Sequence, residues 1–169
     1  MENIQNMVSF VREHFNSDKF IPLHEPRFRG NEKKYLAETI DSTFVSSVGA
    51  FVDQFENMMQ DITGAAKSVA VVNGSASLQV ALRLAGVKKD DEVITQALTF
   101  IATANAIVYN NAIPVFIDVD LDTMGLSPKA LEDFLEEFGE LREDGCYNKS
   151  TSRRIAACMP MHTFGFPVH

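Results

Sequence analysis

Residues 91–118 read DEVITQALTFIATANAIVYNNAIPVFID, and three segments within them decide the class of fold. EVIT at 92–95 and PVFID at 114–118 are short, continuous apolar runs, the pattern of strands buried in a parallel sheet. Between them, TFIATANAIVYNN predicts a helix of small residues that stops at Asn110 and Asn111. Two parallel strands joined by a helix make one right-handed crossover unit. The alternation extends in both directions. Upstream, SVAVV at 68–72 predicts a further buried strand, and NGSASLQVALRLAG a helix with Leu78, Ala81, Leu82 and Ala85 inward and Gly86 at its end. Downstream, Ser127-Pro128 places an N-cap before a proline at the first helical position and opens a helix through ALEDFLEEF. A polar stretch, GELREDGCYNKSTS, precedes a last strand in RIAACMPM. The order β-α-β-α-β-α-β predicts an α/β domain of three layers around a mainly parallel sheet.

The first third of the chain is helical and irregular. Ile4, Met7, Val8, Val11 and Phe15 recur at helical spacing over residues 2–16. SDKFIPLHEPRFRG, residues 17–30, holds two prolines and a glycine and reads as an extended arm. A helix from Asn31 carries Tyr35, Leu36, Thr39 and Ile40 inward. After the turn STFVSSVG, another helix carries Phe51, Phe55, Met59 and Ile62 and closes at Gly64. Stripes of this kind are expected to be core. The organisation expected is an N-terminal helix and arm over 1–30 and an incomplete large domain over 31–169.

Composition narrows the function. The 169 residues carry 15 Lys and Arg against 23 Asp and Glu, a net charge of -8, which opposes nucleic acid and anionic membrane surfaces. Two cysteines, Cys146 and Cys158, have neither disulfide-framework nor zinc spacing, and the four histidines form no ligand pair, so no metal is expected. No apolar run reaches membrane-spanning length and MENIQNMVSFVREHF is no secretory leader, so the expected location is cytoplasmic.

Ligands of open α/β sheets bind outside the carboxyl ends of the strands. At one such end, Asn73-Gly74-Ser75-Ala76-Ser77 leads into a helix whose first amides and hydroxyls suit one compact phosphate. It lacks the glycine patterns of nucleoside-triphosphate and dinucleotide loops. At a second end, Phe100 precedes a small-residue helix, where a ring can stack on a planar ligand. A phosphate cradle beside an aromatic platform matches the needs of pyridoxal phosphate.

NGSASLQVAL, DDEVITQALTFIATANAIVYNNAIPVFIDVD and the closing PMHTFGFP resemble, in order and spacing, successive blocks of the DegT-type sugar aminotransferases. FRGNEKKYLAETIDSTFVSSVGAFVDQFE resembles their N-terminal block, and the IPLHEPRFRG arm is most similar to the branch making legionaminic-acid-type sugars. These are pyridoxal-phosphate enzymes of the aspartate-aminotransferase fold. The resemblance implies transfer of an amino group from an amino acid, glutamate by expectation, to a nucleotide-linked 4-keto sugar by a homodimer. It also implies that Gly74, Ser75 and Ala76 hold the cofactor phosphate and Phe100 stacks on its ring, with Thr103 and His162 nearby. Ser46, Ser47, Gly49 and Asn105 would border the sugar or the partner subunit. The family's chemistry needs a lysine that bonds the cofactor and a carboxylate for the pyridine nitrogen. Lys19, Lys33, Lys34, Lys67, Lys88, Lys89, Lys129 and Lys149 match no such block, so the chain is expected to be an N-terminal fragment without a catalytic residue and inactive alone. A non-catalytic cofactor-binding or dimerisation module, and a nucleotide-dependent oxidoreductase domain, are the alternatives.

Overall fold

A computed structural model describes residues 2–22 and 25–169. Leu23 and His24, part of the IPLHEPRFRG arm, lie outside the described residues. Two compact units follow one another along the chain, Met1–Ser68 and Val69–His169.

Among its described residues the first unit holds three helices, α1 (Glu2–Phe15), α2 (Glu32–Ser42) and α3 (Ala50–Thr63), close to the expected limits. The described part of the arm between α1 and α2 is neither helix nor strand. Gly64 ends α3 in the left-handed region at φ 70°, its amide donating to the Gln60 carbonyl, as a glycine C-cap does. The Tyr35 and Phe51 rings, 5.0 Å apart, pack α2 on α3. The core role expected of these stripes does not hold. Neither α2 nor α3 has a buried residue, and Ile4, Met7, Leu36, Ile40, Phe55 and Ile62 stay largely exposed. A helix stripe is covered only where an opposing surface exists, and the periodicity that marks the stripe says nothing about where that surface comes from.

The second unit is built on a five-stranded sheet of order β2-β1-β5-β4-β3. β1 (Glu92–Gln96) lies between β2 (Ile113–Ile117) and β5 (Arg154–Cys158), parallel to both. β3 (Gly139–Arg142) and β4 (Gly145–Asn148) extend the sheet antiparallel beyond β5. The helices are α4 (Gly74–Leu84), α5 (Ile101–Tyr109) and α6 (Pro128–Phe138). Val93 packs with Leu82, Val87, Ala106, Ile107 and Ala112 in the core that joins α4 and α5 to the sheet. Glu92, Ile94 and Gln96 point to the opposite face, and they too are buried. β1 is therefore covered on both sides, as the layered α/β fold requires. Pro114, which cannot donate to a ladder, sits where β2 forms the sheet edge. Ser127 caps α6 as read, accepting the Ala130 amide at 3.3 Å.

Two expectations fail. SVAVV at 68–72 is not a strand, and Val72 remains 89% exposed. The sheet runs from β2 to β3, and residues 68–72 are not among its strands. Apolar composition makes a strand only where the chain joins a ladder. Conversely, the polar stretch after α6 is the β3–β4 hairpin. The two turn residues are Glu143 and Asp144, and Gly145, paired with Arg142, opens β4 at φ 149°. Tyr147 fastens it, donating to Asp144 at 2.8 Å and lying under the Arg142 guanidinium at 4.3 Å.

Ile107 is fully buried at the centre of the α4–α5–β1 cluster. Ile107→Ala is expected to lower unfolding free energy by about 2–5 kcal/mol in a denaturant titration.

Candidate functional site

The carboxyl ends of β1, β2 and β5 and the first turn of α4 and of α5 lie on one side of the second unit. There a cleft of about 540 Å³ is lined by Gly74, Ser75, Ser77 and Leu78 of α4, by Phe100, Ala102 and Thr103 at the start of α5, and by Met159, Pro160 and Met161 after β5. Each side of it follows from local chemistry.

Asn73 is the N-cap of α4, extended at φ -165° and ψ 170°, and its side-chain oxygen accepts the Ala76 amide at 2.9 Å. Ala76, expected to touch a phosphate, thus spends its amide on the cap. The Gly74 and Ser75 amides lie in the first turn, where an α-helix supplies no acceptor, and the helix dipole adds partial positive charge there. A Cβ added at Gly74 would meet nothing within 4 Å, so the space above this backbone is open to a ligand. The Ser75 and Ser77 hydroxyls border the same space.

Phe100 is 75% exposed at the N-cap position of α5, leaving its ring uncovered toward the cleft. Thr103 lines the cleft but is itself buried, its hydroxyl 2.7 Å from that of Thr99. Thr99 donates to the Met161 sulfur at 3.0 Å, which joins the Phe100 loop to the segment after β5.

The cleft thus gathers Gly74, Ser75, Phe100 and Thr103 of the expected residues. His162 is exposed at the next turn, and its Nδ1 accepts the Val168 amide at 3.1 Å, so it is held by backbone. Asn105 is half-buried on α5 and does not line the cleft. Ser46, Ser47 and Gly49 belong to the first unit, on the exposed turn before α3, where Ser46 accepts the Val48 amide. Met159 and Met161 were missed. Their signal was position, one and three residues past the end of a parallel strand, rather than residue type.

The donor set suits a phosphate joined to a flat ring. It consists of neutral amides and hydroxyls beside an uncovered aromatic face. Among the described residues no lysine and no carboxylate lines the cleft. Lys129 pairs with Asp133 and Glu132, which hold its ammonium above the ordinary value, the reverse of what a nucleophilic amine needs. Lys149 reaches the carbonyls of Glu136 and Glu137 at the end of α6. Burial pushes the Cys158 thiol up, so it stays protonated.

Residues 26–169 match the DegT/DnrJ/EryC1/StrS aminotransferase family. The chain belongs to that family. It is 43% identical over 119 residues to EpsN of Bacillus subtilis, provisionally named a pyridoxal phosphate-dependent aminotransferase, covering 70% of this chain and 31% of EpsN. It is 34% identical over 149 residues to GDP-perosamine synthase of Escherichia coli O157:H7, covering 88% and 36% of the two chains. A crystal structure of a DegT-family aminotransferase from Brucella abortus superposes with a TM-score of 0.68 at 25% identity, over 82% of this chain and 35% of that one. The chain therefore spans about a third of the length of the curated relatives it matches. Pyridoxal phosphate is the cofactor of this DegT-family fold, and the cleft has the donors for its phosphate and the ring for its face.

One titratable cluster of the unit involves Asp120, Asp122 and His169, whose side-chain ligand atoms lie within 4.8 Å of one another. His169 Nε2 is 2.8 Å from Asp122, which raises the imidazole above its ordinary 6.5 and lowers the carboxyl. The charged pair persists until pH rises through the raised histidine value or falls through the lowered carboxyl value. NMR titration is expected to place the His169 midpoint above 6.5, and Asp122→Asn to bring it back down.

Proposed function

We propose that the protein acts in pyridoxal-phosphate-dependent transfer of an amino group from an amino acid, most simply glutamate, to a nucleotide-linked 4-keto sugar. The observation that carries this reading is the cleft itself. It joins the open first turn of α4 to the uncovered Phe100 ring, in a chain whose relatives include GDP-perosamine synthase. The bound cofactor supplies an electron sink for the carbon that exchanges the amino group.

Gly74 and Ser75 donate backbone N–H groups to the phosphate, Ser75 and Ser77 add hydroxyls, and Phe100 holds the plane of the ring. Met159 and Met161 keep water from the apolar side. Thr103 acts through Thr99, fixing the loop that presents Phe100. Ser46, Ser47 and Gly49, with Asn105, are assigned to the sugar or to a homodimer contact. The likeness of the IPLHEPRFRG arm supports the branch that makes legionaminic-acid-type sugars. A cytoplasmic homodimer fits such a role.

The cleft's lack of a lysine and a carboxylate favours a second statement about the 169 residues alone: they bind the cofactor without bonding it and do not transaminate. Hydrogen bonds to a charged group contribute roughly 1.5–3 kcal/mol each, so four to the phosphate leave a net of about 5 kcal/mol after ordering costs. That is a dissociation constant of about 0.2 mM. The family match favours all this over the oxidoreductase alternative.

Absorbance titration of the 169-residue chain with pyridoxal phosphate is expected to saturate near that value, with pyridoxal binding far more weakly and Ser75→Ala raising the constant about ten-fold. Borohydride is expected to leave no adduct. A stable adduct at one specific lysine, or no saturation at all, overturns the reading of the chain. Expressed from the whole reading frame of its gene, the protein is expected to consume glutamate in step with a nucleotide-linked 4-keto sugar. Failure there overturns the activity.

A further inference from the structure

Gln96 is the last residue of β1 and is completely buried. Its side-chain amide is not spent on the sheet. Nε2 donates to the carbonyls of Leu98 at 3.0 Å and Met124 at 3.2 Å and to the Thr163 hydroxyl oxygen at 2.9 Å. Oε1 accepts the amides of Leu126 at 2.7 Å and Met161 at 3.1 Å. The Thr163 hydroxyl passes its own proton to the Met124 carbonyl at 2.7 Å. These partners belong to three segments: the loop after β1, the loop between β2 and α6, and the segment after β5.

Resting on the proposed cofactor role of the cleft, we infer that Gln96 is a positioning residue of that site, the side chain that fixes the Phe100 loop against the Met161 segment. Two of its bonds act within two residues of cleft-lining groups. Leu98 is two residues before Phe100, and the Met161 amide belongs to a residue that lines the cleft itself. The Thr99–Met161 contact closes the same loop from the cleft side. The polarity of the site admits only a carboxamide. One end faces three acceptors and the other faces two N–H donors, so a carboxylate would set an oxygen against two carbonyls, and an apolar side chain would take the partner from the Leu126 and Met161 amides and the Leu98 carbonyl. Gln96 touches no ligand. It acts through the placement of Phe100 and Met161, and its substitution should move the bound ring rather than only loosen the fold.

The test compares Gln96→Met with Val87→Ala, a change in the core away from the cleft, at matched loss of Tm. Pyridoxal phosphate is titrated into each full 169-residue chain, with visible circular dichroism reporting the orientation of the bound ring. Gln96→Met is expected to raise the dissociation constant about ten-fold and change the dichroic band per bound cofactor, while Val87→Ala changes neither. Should Gln96→Met fail to fold, Thr163→Val removes one partner of the amide and is expected to alter the same band. A wild-type band and affinity in the folded Gln96 or Thr163 variant, or an equal change in Val87→Ala, overturns the inference and leaves the cofactor reading standing. No binding by the unaltered chain overturns both.

Discussion

A strand covered on both faces and bonded along both edges has no route to water, so each polar atom it carries needs a partner inside the protein. β1 carries three such side chains, and each is answered by a different part of the second unit. Glu92, at the start of the strand, accepts Asn148 Nδ2 at 2.9 Å and the Thr151 hydroxyl at 2.7 Å, which pins the turn between β4 and β5. Thr95 donates to the Met159 carbonyl at 2.8 Å. Gln96 takes the loops at the far end. Among the described residues no buried side-chain nitrogen or oxygen is left without a partner. The β3–β4 hairpin is held at the amino end of β1 and the cleft at its carboxyl end, so the same constraint that completes the sheet also shapes the site.

Elements bounded by local chemistry were legible in the sequence. Ser127-Pro128 and Gly64 act over one turn, and the helices they delimit stand where the residues place them. The elements misread depend on partners. SVAVV has a strand's composition and is not a strand of the sheet, whereas the β3–β4 hairpin has a polar composition and extends the sheet beyond β5. Composition describes the faces of a strand, but pairing decides its existence. The exposed stripes of α1, α2 and α3 repeat the lesson for helices.

The site was more legible than the strand thought to lead into it. Gly74 and Ser75 reach the cleft although 68–72 is irregular, because α4 is set by α5 rather than by a preceding strand. Asn110 does this, donating to the Gln79 carbonyl at 3.1 Å and the Ala106 carbonyl at 2.9 Å while accepting Arg83 Nε at 3.2 Å. Gln79 returns a bond to the Tyr109 carbonyl. Asn110 was read only as a helix stop, and its side chain proves to be the joint between the two helices whose first turns form the cleft. Gln96 escaped for the same reason: a single polar residue ending an apolar strand shows its purpose only when three distant loops converge on it.

An anion site proposed in a chain of net charge -8 needs a physical account, and the lining of the cleft supplies it. A field from scattered surface carboxylates is screened over roughly 8–10 Å at physiological salt. The first-turn amides and the serine hydroxyls act at contact distance and carry no net charge to be screened. Attraction of this kind rewards fit rather than charge, so a compact phosphate gains and a polyanion gains nothing more. The remaining lining, Leu78, Ala102, Met159, Pro160, Met161 and the exposed face of Phe100, is apolar. Free phosphate would leave that surface wet, whereas a phosphate carried by a flat ring covers it, so the acidic surface and the anion site are compatible for a ligand with both parts.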